Sequence, residues 1–167
     1  MKMMMSPNTT QRPDMSEFDN MTDEEYYEKL VGYRNSGINF FAAHNNIIIT
    51  RIALGYAEGR IDLVEHHGNP IGSVHGGCIF SLADSVGGAA AVSRRRAVTT
   101  VSSNINYVNA AMMDKAKALI ATATEIKAGK STCVYRVDVK DESNRLIATA
   151  VNTYFYLKSE IKLPGAD

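Results

Sequence analysis

The sequence holds no tryptophan, only two cysteines and four prolines, and no surplus of either charge. Each shortage removes a class of protein. Cys78 and Cys133 form neither a CxxC pair nor a zinc-ligand pattern, which excludes a small disulfide-stapled scaffold. Eighteen Lys and Arg balance eighteen Asp and Glu. A general binder of nucleic acid or anionic membrane needs a basic excess and is not expected. No apolar run nears the ~18–20 residues of a membrane-crossing helix. The opening MKMMMSPNTT turns polar after five residues, too soon for the apolar centre of a signal peptide. The expectation is a cytoplasmic protein with no membrane or nucleic-acid partner.

What remains is an ordinary globular composition, 45% hydrophobic and 22% charged over 167 residues, a length that suits one domain. Residues 1–21 carry Ser, Pro, Asn, Thr, Gln and Asp among scattered Met and read as a flexible tail. Residues 22–167 form the single domain. It opens on a capping box, Thr22 as N-cap with Glu25 three residues on, and a helix that stops near Ser36-Gly37. Residues 38–43 suit one short helical turn. IIITRIAL and YAEGRIDLV, parted at Gly55, then read as two paired strands. GNPIGSV is a loop punctuated by Gly68, Pro70 and Gly72.

The next stretch, GGCIFSLADSVGGAAAVSRR, places Ile79, Leu82, Ala83, Val86 and Ala90 at helical spacing. Its other side is also apolar or very small, so the helix is expected to be buried, with one charge, Asp84, in its middle. Four segments rich in Thr, Val, Ile and Tyr follow after Arg96. A long antiparallel sheet with one apolar helix has one sensible arrangement: α+β, the sheet curled around the helix as its core. The face or edge left over calls for a second copy of the chain, as a dimer or a dimer of dimers.

Asn69-Pro-Ile-Gly-Ser-Val-His75-Gly76-Gly77, followed by Leu82-Ala83-Asp84, resembles the hotdog-fold acyl-CoA thioesterases. It is similar to the branch typified by the phenylacetate-degradation (PaaI-like) enzymes. That branch carries the same Asn, His-Gly-Gly and acid, with the acid fifteen residues after the Asn as here. The likeness runs from about Phe40 to Leu157 and includes Asn104-Ile-Asn-Tyr107 and the Gly129-Lys130 turn. One departure is the loop after Tyr107, VNAAMMDK, which lacks the Pro and Gly common there. The resemblance implies an acyl-CoA thioesterase with no metal or redox cofactor, coenzyme A being part of the substrate. A non-catalytic acyl-CoA binding module on the same fold is the alternative. Hydratases and dehydratases of that fold use a different His and acid arrangement that this sequence does not show.

The residues support the same chemistry. Gly76 and Gly77 open a helix, where unpaired N–H groups and the dipole favour an oxyanion, and glycine lets a ligand close to the backbone. A buried Asp84 needs a partner or a cavity, and it suits a nucleophile or a general base. Eight residues of helix, about 12 Å, separate Gly76 from Asp84. A site using both therefore draws Gly76 and Asn69 from one subunit and Asp84 from the other. Asn69 suits alignment of water or thioester, or a turn before Pro70. His75 suits orientation of the loop, contact with the thioester end, or plain packing. Thr100 matches a hydroxyl that holds the water in some relatives, and Ser102 competes for that place on the same strand face.

Arg94, Arg95, Arg96 and Lys130, with Arg145 as a further candidate, suit either a clamp for coenzyme A phosphates or a soluble, dipole-matched helix end. Other patterns carry less. Ala128-Gly-Lys-Ser-Thr132 lacks the first glycine of a phosphate loop, since position 124 is Thr124. His66-His67 has no further ligand at metal spacing. Cys78 suits a buried filler.

Overall fold

The computed structural model describes residues 21–37 and 40–157, so residues 1–20 of the expected tail lie outside the described residues. Helix α1 (Asp23–Asn35) begins on the expected capping box: Thr22 Oγ1 accepts the Glu25 N–H, and Glu25 accepts the Thr22 N–H at 2.9 Å. Ser36 caps its other end. The short α2 (Phe40–His44) falls in the expected helical turn, of which residues 38 and 39 are outside the described residues. Strands β1 (Ile47–Ala53) and β2 (Tyr56–Asp62) pair through a tight turn in which Gly55 has φ of 68°. A 3₁₀ turn, Glu65–His67, precedes the loop.

Helix α3 (Gly76–Val92) leads to β3 (Val98–Tyr107), β4 (Ala118–Ala128), β5 (Thr132–Asp141) and β6 (Leu146–Tyr156). The helix stops sooner than the sequence suggests. Ser93 caps it, and Arg94–Arg96 lie beyond, Arg95 with a left-handed φ of 55°. The six strands form one antiparallel sheet in the order β1-β2-β4-β5-β6-β3. All six touch α3, so the sheet curls about it.

Small side chains make that wrap possible. Ala83, Ala89, Ala90 and Ala91 are buried on α3 beside Leu82 and Val86. A Cβ on Gly59 of β2 would lie 2.7 Å from Val86 Cγ2, and one on Gly87 would lie 2.2 Å from Tyr154 Oη. Helix and sheet approach closer than any side chain at those points allows, which maximises the dispersion contacts of the core.

The two edges of the sheet differ. At β1, the Asn35 side chain donates to Ile49 O at 2.7 Å and accepts the Ile49 N–H at 2.9 Å, so an amide stands in for a neighbouring strand. Among the described residues β3 has no strand beyond it, and it is exposed along most of its length, with Val101 57% accessible. An unpaired edge of ten residues is a template for another chain.

Candidate active site

The 69–75 loop is tied together by its own side chains. Asn69 Oδ1 accepts the N–H groups of Ile71 and Ser73, both at 3.1 Å, and Nδ2 donates to Ser73 Oγ at 2.8 Å. One Nδ2 hydrogen has no partner among the described residues. Asn69 thus builds the turn that runs through Pro70 to Ser73 and keeps one donor for something else.

His75 is the N-cap of α3. Its Nδ1 accepts the Gly77 N–H at 2.9 Å, and its own N–H donates to His67 O at 2.8 Å. Accepting at Nδ1 places the ring proton on Nε2. The Cys78 and Ile79 N–H groups both turn back to His75 O. The Gly76 N–H therefore stands as the open donor of the first turn among the described residues. Of the two glycines, the sequence pattern alone does not separate capped Gly77 from open Gly76.

Tyr107 of β3 donates from Oη to Gly76 O at 3.0 Å, and its ring lies 3.4 Å from where a Gly76 Cβ would sit. It pins the peptide that follows Gly76, the one that carries the capped Gly77 N–H. A cavity of about 280 Å³ lies here, lined in part by Ser73, Gly76, Ile79 and Tyr107. A second, of about 410 Å³, is lined by Phe41, His66, His75 and Gly77 among others.

Asp84 lies half-buried near the middle of α3, and Thr100 of β3 donates to its Oδ1 at 3.0 Å. The competing match, Ser102, is turned away by a β-bulge. Register slips between Thr100, opposite Tyr154, and Ser102, opposite Thr153. Ser103 is the next residue on the helix side, where its Oγ donates to Asn152 Oδ1 at 2.6 Å. The expected common face for Thr100 and Ser102 is thus broken, because the extra residue restarts the alternation.

Beneath Asp84 a buried polar network holds the helix against β6. Asn152, fully buried, donates to Ala83 O and to Tyr154 Oη, and Tyr154 donates to Asp84 O at 3.1 Å. Burial raises the Tyr154 pKa, and the Asp84 charge adds to it, so the phenol stays a donor. The sequence reading did not single out Asn152 or Tyr154. Their signal was present as period-two alternation, Ala150, Asn152 and Tyr154 sharing the inward row of β6.

The basic residues are engaged locally. Arg94 forms a two-pronged pair with Glu125, at 2.6 and 2.7 Å, which raises the arginine and lowers the carboxyl pKa. Arg95 lies 4.3 Å over the Tyr26 ring and bonds Asp23. Arg96 stacks 3.7 Å over Tyr156 and donates to Lys130 O. Lys130 is exposed beside it, and Arg145 pairs with Asp141 at 3.0 Å. Cys78 is buried, and burial pushes its thiol up to about 11, which makes it a poor nucleophile. Among the described residues no three His, Cys, Asp or Glu form a metal-holding group, and no helix is long and apolar enough to cross a membrane.

This architecture has known counterparts. The family model described as the thioesterase superfamily matches residues 71–148, from the loop through α3 into β6. The 1,4-dihydroxy-2-naphthoyl-CoA hydrolase of Listeria monocytogenes is 30% identical over 104 residues, covering 60% of this chain and 82% of that protein. Human acyl-coenzyme A thioesterase 13 is 27% identical over 116 residues, 69% of this chain and 83% of that one. A solved mutant of the phenylacetic acid degradation protein PaaI from Thermus thermophilus is 27% identical with a TM-score of 0.67, over 71% of this chain and 100% of that chain. The chain belongs to the thioesterase superfamily. Its fold is the hotdog fold of those relatives, and it is an enzyme of the thioester-hydrolysing class, as the Asn69-to-Asp84 pattern implied.

Proposed function

We propose that the protein hydrolyses acyl-CoA thioesters at a site shared between two copies of the chain. One observation carries this reading: an open Gly76 N–H and an oriented Asp84 carboxylate lie on the same helix but about 12 Å apart. A single thioester carbonyl spans no such distance. The exposed β3 edge offers the place for a second copy to bring its own Gly76 toward this Asp84.

In that site the thioester oxygen accepts the Gly76 N–H, reinforced by the helix dipole, and the bond strengthens as the oxygen gains charge. Asn69 adds its remaining donor to the water or the thioester. Asp84, aimed by Thr100, either removes a proton from water as the oxygen bonds to the acyl carbon or attacks that carbon itself. The tetrahedral intermediate collapses with cleavage of the C–S bond, and coenzyme A leaves as its thiolate. In the second route water then releases the acyl group from Asp84. Neither route uses a metal or redox cofactor. Arg96 and Lys130, exposed and adjacent, are the basic residues best placed for coenzyme A phosphates, since Arg94 is tied to Glu125.

The test is subunit complementation. Asp84→Ala and Asn69→Ala are each expected to be inactive against a panel of aryl, short and long acyl-CoAs. Mixed heterodimers recover part of the wild-type rate if the site is shared. No recovery after verified subunit exchange refutes the sharing. Tight acyl-CoA binding by the wild type without turnover refutes catalysis and leaves a binding module. After a single turnover in ¹⁸O-water, label in the Asp84 carboxylate and not in the free acid marks attack by Asp84 followed by water opening the anhydride at the aspartyl carbon.

A further inference from the structure

His67 ends the 3₁₀ turn that leads into the 69–75 loop, and it is 2% exposed. Its Nδ1 accepts the Val64 N–H at 3.1 Å, while its own N–H donates to Val64 O at 2.9 Å. The ring proton therefore sits on Nε2. That atom is sealed from water and has no hydrogen-bond partner among the described residues. The Asn45 backbone comes near the ring, outside bonding geometry.

The backbone of the same residue is the base of the loop. His67 O accepts the His75 N–H at 2.8 Å, Gly68 pairs with Val74, and the Asn69 N–H donates to Ser73 O at 2.8 Å. These three rungs join an ascending arm, which ends on Asn69, to a descending arm, which ends on the cap of α3. The Val74 N–H donates to Ala111 O and the Met113 N–H to Gly72 O, so the descending arm has its own anchor. The ascending arm starts from the His67 ring.

Only a neutral ring fits there. A proton on Nδ1 would face the Val64 N–H donor, and the charge would lie where water does not reach it. The neighbours supply no counter-charge. His66 of the same turn stands 4.3 Å away, ring to ring, and His44 of α2 stacks on His66 at 6.1 Å. From the start of α3, His75 and Cys78 line the same cavity as His67. Burial, then His66, hold the His67 pKa below its usual 6.5; the Asn45 backbone opposes them, and no carboxylate contributes.

Resting on the proposed hydrolysis, we infer that His67 is a positioning residue: its neutral ring holds the loop closed, and with it the Asn69 amide and the Gly76 N–H, and uptake of a proton in acid releases both. His67 touches no substrate atom in this reading. The sign follows from the unfolded chain, where the ring is protonated as pH falls through 6.5. The stability that the neutral ring confers is full above 6.5 and shrinks as pH falls from there to the lowered folded value.

The first readout needs no substrate. Two-dimensional NMR follows the Gly76 and Asn69 amides and the His67 ring of the whole protein from about pH 8 to about pH 5. In the wild type all three are expected to titrate together, with a midpoint below 6.5. His67→Asn keeps an acceptor near the Nδ1 position and does not titrate, so its two amides are expected to stay in place. The second readout is kcat against pH on the acyl-CoA turned over fastest. Wild-type kcat is expected to fall about tenfold per pH unit below the midpoint. His67→Asn keeps kcat within about threefold at neutral pH and loses that acid limb, while His67→Phe, without an acceptor, loses about tenfold in kcat at every pH with little change in KM. His66→Gln is the control and follows the wild type. Amides that do not move with the His67 ring overturn the inference. So does the same amide titration or the same acid limb in His67→Asn, which assigns it to another group. A His67→Phe enzyme with wild-type kcat at neutral pH overturns it as well; if that variant does not fold, the wild-type and His67→Asn titrations decide. Amides that follow the ring in a protein that turns over no thioester support the positioning role and refute hydrolysis. Turnover with amides that ignore the ring does the reverse.

Discussion

Replacing Thr100 with valine keeps the β-branched shape of the strand residue and removes only the hydroxyl that bonds Asp84 Oδ1 at 3.0 Å. Thr100 is exposed in the single chain, so folding has little stake in it. A hydrogen bond to a charged group contributes about 1.5–3 kcal/mol. If that bond aims the carboxylate at the reacting carbon, kcat falls by about 10- to 100-fold while KM changes little. Thr100→Ser restores the hydroxyl and most of the rate. Ser102→Ala is the internal control. The bulge puts Ser102 opposite Thr153 on the other face, so its loss leaves kcat within about twofold. Steady-state release of the coenzyme A thiol measures all four proteins on one substrate. A Thr100→Val enzyme with wild-type kcat, or a Ser102→Ala enzyme equally impaired, refutes the assignment of the hydroxyl to Thr100.

Adjacent glycines of α3 are expected to respond with opposite sign. Gly87→Ala drives a methyl to 2.2 Å from Tyr154 Oη and costs about 1–3 kcal/mol, while Gly88→Ala gains up to ~1 kcal/mol of helix propensity. Thermal melting reads both, and equal shifts contradict the packing described. His75→Ala removes the cap on the Gly77 N–H and is expected to cost about 1 kcal/mol in denaturant unfolding. A stability unchanged by that substitution refutes the capping role. The Glu125 carboxyl is held below its usual 4.5 by Arg94 and Tyr135, so its stabilisation is present above 4.5 and is lost as pH falls through the lowered folded value. Glu125→Gln is therefore less stable than wild type by about 1 kcal/mol at neutral pH, and the two converge in acid. A gap that persists in acid shows that the contribution is packing and not charge.

Local signals in the sequence were strong enough to anticipate the α-helices and the six strands, but not the 3₁₀ turn at Glu65–His67 or the early end of α3. The Thr22–Glu25 capping box, the period change at Ile47, the turn at Gly55 and the apolar run after Gly77 each act over one or two turns of chain, so each is legible without partners. The run of Arg94–Arg96 shows the limit of such reading. It was equally a phosphate clamp or a helix end, and only packing decided that Arg94 faces Glu125, thirty-one residues away in the chain. The resemblance of Asn69 through Asp84 to acyl-CoA thioesterases identified the family from pattern alone. It did not tell the open Gly76 N–H from the capped Gly77 N–H, because that depends on the rotation of one imidazole. It did not choose Thr100 over Ser102, because a bulge is a property of two paired strands. Arg34 carried no motif at all. It comes near Gly88 only because the fold lays α1 on β1 and within side-chain reach of α3, since a charge acquires its meaning from what surrounds it in space.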